Sequence, residues 1–294
     1  MRDRITQNKN FLLIGIILSM LTWGISWPSA KILSRYGTPV EIAFLRFIFT
    51  FFGVFAILKF SHIPVRINKQ GYRPLLMASI LMAAYSLLFF TGLKKGLAGA
   101  GGVLVTTTTP LVTFLMAAIF SNRKLITREW LGLGIGIIGG CFLLSIWSKY
   151  DQILASGNLF FFGSTIVWAI LTRFTARASD YGAAPAFSLW MYLLCIIILA
   201  FFQNQHLWEV LQKGDGLFWF NMIFNAVINT GMATTFYFYA TSKLGPEKTS
   251  TFIYIVPFAA AFSSLVILKE TLAWNTIVGG ILGIAAVWVI NRRK

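Results

Sequence analysis

The feature that most constrains this chain is a succession of apolar runs, each close to the length that crosses a lipid bilayer. We predict ten such spans, at 11–33, 39–60, 74–93, 98–120, 128–147, 157–178, 184–203, 217–241, 248–268 and 272–291. A transmembrane α-helix needs roughly 20 apolar residues to cross the hydrocarbon core. Because lipid cannot satisfy backbone hydrogen bonds, open strands and loops are excluded there. The pattern therefore predicts an all-α integral membrane protein of ten transmembrane helices.

Composition excludes an ordinary soluble domain. Apolar residues make up 57% of the 294 residues and charged residues only 12%, whereas about a quarter of a soluble protein is charged. The net charge of +16 could indicate a nucleic-acid partner. However, Lys and Arg form short groups between the spans and not one basic helix face. We therefore expect a lipid bilayer around the protein and no nucleic acid.

The distribution of Lys and Arg predicts the orientation. With a cytoplasmic N-terminus, 17 cations fall in inner segments and 8 in outer ones. The positive-inside rule favours that arrangement. It predicts that both termini are cytoplasmic, and we expect a multi-pass protein of the inner (cytoplasmic) membrane. No small-residue cleavage site closes the first apolar run, so we interpret it as an uncleaved span.

A second constraint is an internal repeat. Residues 97–140 align without gaps on residues 244–287, with Pro110 on Pro257 in one span and a Gly-xxx-Gly motif at the same place in the next. An offset of half the chain indicates a duplication.

The duplication has a topological consequence, because each copy holds five spans. An odd number makes the second copy enter the bilayer from the opposite face, so we predict two inverted five-helix repeats, 1–147 and 148–294. Such repeats place a substrate near the midplane, at the seam between the halves, and work by rocking one half against the other. We expect the protein to function as a monomer.

Polar and aromatic side chains within the spans predict the substrate site, because polar groups in membrane helices turn away from lipid. Asn221, Asn225 and Asn229 recur at helical spacing and predict one polar stripe, with Asn221 nearest the interface. Trp23 and Trp168 occupy matching positions in the two repeats. The predicted substrate-binding residues are Trp23, Ser26, Tyr85, Thr107, Trp168, Thr172, Asn225, Asn229 and Tyr254.

Plainer interpretations stay open for these residues. Ser and Thr in membrane helices commonly bond their own backbone or a neighbouring helix. Trp27 lies nearer a span end and could be an interfacial anchor, and Tyr85 could be a core tyrosine. For the Gly-xxx-Gly row of Gly132, Gly136 and Gly140, helix packing is the better interpretation.

The fourth and ninth spans are expected to form a second pair of cavity walls. Hydroxyl residues at 106–109 precede Pro110, and others at 249–251 precede Pro257. Proline leaves an upstream carbonyl without its helical partner, so we predict a local break before each proline.

Three charged residues are assigned to an outer vestibule: Lys31, Glu41 and Arg46. Glu41 lies about one helical turn from Arg46, so we predict an ion pair at the cavity mouth. Either cation could meet a substrate carboxylate, or could instead snorkel to the interface. No charge is expected at the centre of the cavity, which favours facilitated diffusion or exchange over proton coupling.

Catalysis has no evident residues in this sequence. The acidic residues lie in connections or near span ends, and both histidines lie in polar connections. Cys141 and Cys195 have no metal-ligand spacing to the histidines. The glycine runs lack the Lys-Ser/Thr pair of a phosphate loop. We therefore expect no enzyme, no metal and no cofactor.

Several short motifs together resemble one transporter family. They are Trp23-Gly24 with Lys31 beyond, Arg46-Phe47, Thr109-Pro110, Pro257, and Lys269-Glu270-Thr271-Leu272 before a Gly-xxx-Gly span. Over nearly the whole chain they resemble the EamA branch of the drug/metabolite transporter (DMT) superfamily. The resemblance implies a ten-helix exporter or exchanger of amino acids, other metabolites or toxic compounds. One departure is Arg123, which stands where the second half has Glu270.

The prediction is therefore a secondary transporter that exports a small-molecule substrate by alternating access. Its proposed lining mixes indole, phenol, amide and hydroxyl groups, which suits amino acids or related amphipathic solutes. Multidrug efflux is the alternative, and a channel is a less favoured one.

Overall fold

The computed structural model describes residues 9–120, 125–148, 151, 156–203 and 206–291, and these are almost entirely helical. No strand occurs in those ranges, where an isolated bridge joins Ile67 and Gly182. Two residues named above lie outside the described ranges. They are Arg123, at which the sequence departs from the family pattern, and Lys294, at the C-terminus that was predicted to be cytoplasmic. The main helical segments are α1 (Lys9–Leu33), α2 (Pro39–Phe60), α3 (Tyr72–Lys95), α4 (Ala98–Phe120), α5 (Thr127–Leu144), α6 (Asn158–Thr175), α7 (Ala184–Ala200), α8 (Gly216–Ile223, a π-helical stretch Phe224–Thr234, and Thr235–Leu244), α9 (Pro246–Ser250, a 3₁₀ stretch Thr251–Ile255, and Val256–Leu268) and α10 (Trp274–Asn291). Short helices Lys69–Gly71, Ala178–Tyr181 and Leu207–Lys213 lie in the connections.

Helix length and composition agree with a membrane protein. Within the described residues, seven helices are long and apolar enough to cross a bilayer, while α7 and α10 are apolar but shorter and α8 is divided by its π-helical stretch. The predicted all-α class is thus confirmed. The count of ten spans and their inversion stay predictions.

The helices pair mostly between the two halves of the chain. Helix α3 packs on α6, α1 on α8 and α9, α4 on α6 and α9, α2 on α7, and α5 on α10. If each helix is exchanged with its counterpart in the other half (α1 with α6, α2 with α7 and so on), the list of packed pairs stays the same. The pair α3/α6 becomes α8/α1, and α9/α1 becomes α4/α6. The pairs α2/α7, α4/α9 and α5/α10 are each converted into themselves. The core is therefore a seam between residues from both halves.

Glycine explains the tight α5/α10 pair. A Cβ on Gly139 would lie 3.1 Å from the carbonyl oxygen of Gly279, and one on Gly279 would lie 2.8 Å from that of Gly139. The two backbones thus approach as small-residue membrane helices do. Gly140, expected in this row, has nothing within 4 Å of its Cβ position. Gly139, and not Gly140, therefore makes the close helix contact that was predicted for Gly140.

The two prolines behave differently from each other. Before Pro257 the helix tightens into the 3₁₀ stretch Thr251–Ile255, as the predicted break requires. Helix α4 instead continues through Pro110. In this continuous helix the preceding threonines donate their hydroxyls to carbonyls four residues back, Thr109 to Val105 at 2.6 Å for example. The break predicted before Pro110 is therefore wrong.

Candidate substrate site

A small cavity, the central cavity, lies where α1, α2, α3, α4, α6, α8 and α9 converge. Its lining consists of Trp23, Ser26, Trp27, Arg46, Met82, Tyr85, Phe89, Val105, Thr106, Thr109, Trp168, Asn229, Thr234 and Ile253. The centre of a water-sized sphere can occupy about 50 Å³ of it. One water needs roughly 10–15 Å³ by this measure, so the cavity has room for only a few. A larger solute requires the wall to move.

Aromatic rings from both halves form one wall. The Trp23 ring centroid lies 5.2 Å from that of Trp168 at an interplanar angle of 85°, and 4.9 Å from that of Tyr237. Tyr85 lies 4.7 Å from Trp168. Edge and tilted contacts of this kind stabilise ring clusters beyond simple burial. The indole nitrogen of Trp23 also donates to the Thr234 hydroxyl at 3.1 Å, which fixes its orientation.

Arg46 is a central residue of the cavity and not part of an outer vestibule. Its guanidinium donates to Thr230 at 2.9 Å and to Ser86 at 2.7 Å. Its faces are covered by Phe47 and Phe90, whose ring centroids lie 4.8 Å and 5.3 Å away. The prediction of a cavity without central charge is therefore wrong. Arg46 lies about two helical turns after the start of α2 and is buried.

The predicted Glu41–Arg46 ion pair is also absent. Glu41 is buried at the start of α2, where its carboxylate accepts from the backbone N–H of Thr38 at 2.7 Å. The Thr38 hydroxyl accepts in return from the Glu41 N–H. This reciprocal capping box holds the carboxylate at the end of its own helix. Glu41 therefore does not line the central cavity.

Lys31 caps another helix and likewise does not reach the cavity. Its ammonium donates to the carbonyls of Leu93 and Gly96 at the carboxyl end of α3, the second at 2.8 Å. Cations are favourable at that end of a helix because of its dipole. Lys31 therefore lies outside the central cavity, and its assignment to an outer vestibule stays a prediction.

The asparagine stripe of α8 is divided by the π-helical stretch Phe224–Thr234. Asn221 donates to Leu217 in its own helix, and Asn225 donates to the Ser29 hydroxyl at 2.6 Å. Only Asn229 of the three lines the central cavity. Backbone bonding from i to i+5 changes the periodicity on which the stripe was predicted. Carbonyls within the stretch accept from threonine hydroxyls, including Thr234 on Asn229.

Five of the nine predicted binding residues line the cavity, namely Trp23, Ser26, Tyr85, Trp168 and Asn229. The other four do not, and Asn225 bonds α1 as described. Thr107 faces α10, where a Cβ on Gly283 would lie 2.9 Å from it. Thr172 donates to the Trp168 carbonyl. Tyr254 packs with the separate cluster of Leu111, Leu133, Ala286 and Ile290. Asn225, Thr107 and Thr172 are buried and Tyr254 is partly buried, but each contacts a different neighbour from the one expected.

The sequence reasoning missed several wall residues. Met82 and Phe89, which flank Tyr85 at helical spacing, were not predicted, whereas Thr106 and Thr109 belong to the hydroxyl run that was expected to form a cavity wall. Helical periodicity around Tyr85 would have found the first two. Trp27, for which both interpretations were open, lines the cavity and contacts Phe89.

Polar contacts close one end of the molecule, which the charge distribution predicts to be the outer end. The Glu270 carboxylate accepts from the N–H groups of Ala98 and Gly99, the latter at 2.9 Å, and so joins the α9–α10 connection to the start of α4. Tyr36 donates to Asp215 at 2.8 Å. Hydrogen bonds from the Phe218 N–H and the Tyr36 hydroxyl lower the pKa of Asp215, and the bond to Asp215 raises the pKa of Tyr36.

The opposite end contains a larger cavity of about 660 Å³, which we call the inner cleft. It is mainly apolar and lies between α1, α2, α7 and α8, with Phe11, Leu58, Pro185 and Lys243 among its lining residues. Thr235 and Phe236 line it next to Tyr237, whose ring contacts Trp23 of the central cavity. The rings of Trp23 and Tyr237 therefore connect the wall of the central cavity to residues next to the lining of the inner cleft.

A model of the EamA-like transporter family matches the chain twice, over residues 10–146 and 155–292. The Bacillus subtilis transporter YoaV is 23% identical over 96% of this chain and 99% of its own. A Salmonella typhimurium protein named as a probable amino-acid metabolite efflux pump is 21% identical, over 93% of this chain and 92% of its own. The threonine/homoserine exporter RhtA of Escherichia coli is 25% identical over 71% and 67%, respectively. A crystal structure sharing 15% identity superposes with a TM-score of 0.65 over 94% of this chain and 95% of that one, which shows a common fold.

Proposed function

Because the chain belongs to the EamA-like transporter family, we propose that it is a secondary transporter that exports amino acids or related amphipathic metabolites from the cytoplasm. The observation that carries this proposal is the central cavity, which both halves build and which combines aromatic rings with an amide, hydroxyls and a guanidinium. Such a mixture suits a small solute with an apolar part and a few hydrogen-bonding groups.

The proposed architecture is ten spans in two inverted repeats, 1–147 and 148–294, in the inner membrane with both termini cytoplasmic. Two observations support it. The family model matches each half separately, and the helix pairings keep their pattern when the halves are exchanged. We propose that one copy of the chain suffices for transport.

Alternating access is the proposed mechanism. The contacts of Glu270, Lys31 and Tyr36 close one end of the molecule, whereas the inner cleft widens the other. Rocking of the two halves would break the first set of contacts and close the cleft. The aromatic wall around Trp23 would have to move in the same step for a solute to reach the central cavity.

Amino acids are favoured as substrates for two reasons. The related proteins of Salmonella typhimurium and Escherichia coli are named for amino-acid and threonine/homoserine export. In addition, no carboxylate is among the cavity's described lining residues, so an organic cation lacks a counter-charge there. The apolar inner cleft favours a second candidate, efflux of bulkier toxic compounds.

Uptake by liposomes containing the purified protein tests the proposal. We expect counterflow of amino acids, in which an internal pool accelerates uptake of labelled solute, with sugar phosphates, nucleosides and quaternary amines as comparison solutes. Protein-free liposomes are the control. Preference for phosphate esters or quaternary cations would refute the substrate class, and uptake without counterflow would indicate a channel.

A further inference from the structure

We propose that the central cavity holds an α-amino acid as a zwitterion, with its carboxylate on Arg46 and its ammonium toward the side-chain oxygen of Asn229. The inference rests on the proposed function and deepens it, because it assigns each charged end of the solute to a residue. Its evidence is two buried polar atoms without hydrogen-bond partners among the cavity's lining residues, a donor on Arg46 and an acceptor on Asn229. The indole nitrogen of Trp168 is a further such donor.

The donor is the Nε–H of Arg46. The side chain is only 4% exposed, and its Nε atom is buried without a hydrogen-bond partner. The two terminal nitrogens donate to the neutral hydroxyls of Thr230 and Ser86. No Asp or Glu of the described residues forms an ion pair with the guanidinium. Burial of a charge without a counter-charge is unfavourable. An anionic group arriving with the substrate would supply one.

The geometry of the guanidinium favours a carboxylate at its edge. Phe47 and Phe90 cover its faces, so the N–H groups around its rim remain for binding. Arginine donates in a planar fork that matches the two oxygens of a carboxylate. A single cation suits a carboxylate better than a doubly charged phosphate ester.

The acceptor is the Oδ1 atom of Asn229. This side chain is 8% exposed, and its oxygen is buried without a partner. Asn225, one turn earlier, donates its amide N–H to Ser29 and has no buried side-chain atom without a partner. The unpaired amide oxygen therefore distinguishes Asn229 from Asn225. An ammonium group would satisfy that oxygen. The rings of Trp23, Tyr85 and Trp168 lie in the same cavity, and aromatic faces attract a cation.

The first experiment tests the carboxylate end. Binding of L-threonine and L-phenylalanine to the full chain in detergent is compared with binding of their α-carboxamides. We expect each amide to bind roughly tenfold to hundredfold more weakly, because a hydrogen bond to a charged group is lost. In Arg46→Gln acid and amide should bind alike, whereas Arg46→Lys should restore part of the difference.

A matched control addresses folding. Lys59→Gln removes a cation from the exposed end of the same helix and should leave the preference for the acid unchanged. If Arg46→Gln does not fold, the wild-type comparison of acid with amide and the Arg46→Lys variant still decide the question.

The second experiment tests the ammonium end with 3-phenylpropionate, which is phenylalanine without its amine. We expect it to bind wild-type protein about tenfold more weakly than phenylalanine. Asn229→Leu should remove most of that difference. Asn221→Leu makes the same change in the same helix, at a residue whose amide bonds its own backbone, and should retain it.

The outcomes separate the inference from the proposed function. Equal binding of acid and amide by wild-type protein, with counterflow intact, overturns the zwitterion assignment alone. The same holds if Arg46→Gln retains the full preference for the acid. Absence of both binding and counterflow for amino acids overturns the assignment together with the proposed substrate class.

Discussion

Trp168 illustrates how one residue can connect the halves. Its ring contacts Trp23 and Tyr85 from the first half and Phe238 from the second. The same ring lines the central cavity, so its removal affects both packing and solute binding. Loss of a favourable ring contact with a bound solute should weaken binding by about 1 kcal/mol, roughly fivefold.

We therefore expect Trp168→Ala to raise the dissociation constant of the transported amino acid roughly fivefold while membrane insertion continues. Truncation of a buried aromatic residue costs about 3–5 kcal/mol of stability, so Trp168→Phe serves as a gentler second variant. Trp130→Ala is the control, because Trp130 is exposed on the surface of α5. Binding isotherms measure the effect. Unchanged affinity in both Trp168 variants would mean that the solute binds elsewhere.

At this scale, the sequence predicted which residues are buried better than it predicted what they face. Trp23, Tyr85, Trp168 and Asn229 could be chosen because polar and aromatic groups avoid lipid. Thr107 could not be separated from its neighbours Thr106 and Thr109 in the same way. All three are buried threonines of one helix, and only the position of α10 shows which of them faces Gly283.

Whole elements were more predictable than single side chains. The ten apolar runs each coincide with a helical segment, because span length and hydropathy alone specify them. The π-helical stretch of α8 was not predictable, since hydropathy does not specify the backbone bonding pattern within a span. In this stretch Thr230 and Thr234 also donate their hydroxyls to carbonyls five residues back. The continuity of α4 through Pro110 was not predictable either, because a proline inside a helix normally disrupts it.

The start of α2 supports a prediction about Glu41. Its carboxylate caps the helix by accepting from the Thr38 N–H, and a glutamine oxygen can accept the same bond. We expect Glu41→Gln to fold normally and to keep transport down a substrate gradient. Glu41→Ala should lose the cap and about 1 kcal/mol of stability.

Gradient-driven uptake and thermal unfolding of both variants measure these effects. Glu41→Gln is the informative variant, because it removes the charge and retains the cap. Complete loss of its transport with normal folding would instead indicate that the carboxylate couples transport to protons.

The connections of the whole molecule divide between two ends. The α2–α3 and α6–α7 connections meet where Ile67 bridges Gly182. Tyr36 of the α1–α2 connection meets Asp215, which precedes α8. Connections that are predicted to lie on the same side of the membrane therefore contact each other. This is expected if successive helices cross the bilayer in alternate directions. The excess of Lys and Arg at one end predicts that this end faces the cytoplasm.

Cysteine labelling tests that assignment. In a background with both native cysteines replaced, an impermeant maleimide added to intact cells should label cysteines at Asp151 and Lys213, which are exposed. A cysteine at the exposed Asn68 should react only after the membrane is opened. A tag after Lys294 should behave like Asn68 if the C-terminus is cytoplasmic. Because five spans separate the N-terminus from residue 151, a cytoplasmic Asp151 would give the first half an even number of crossings. The two halves would then have the same orientation, and the inverted repeat, with the rocking mechanism that depends on it, would be refuted.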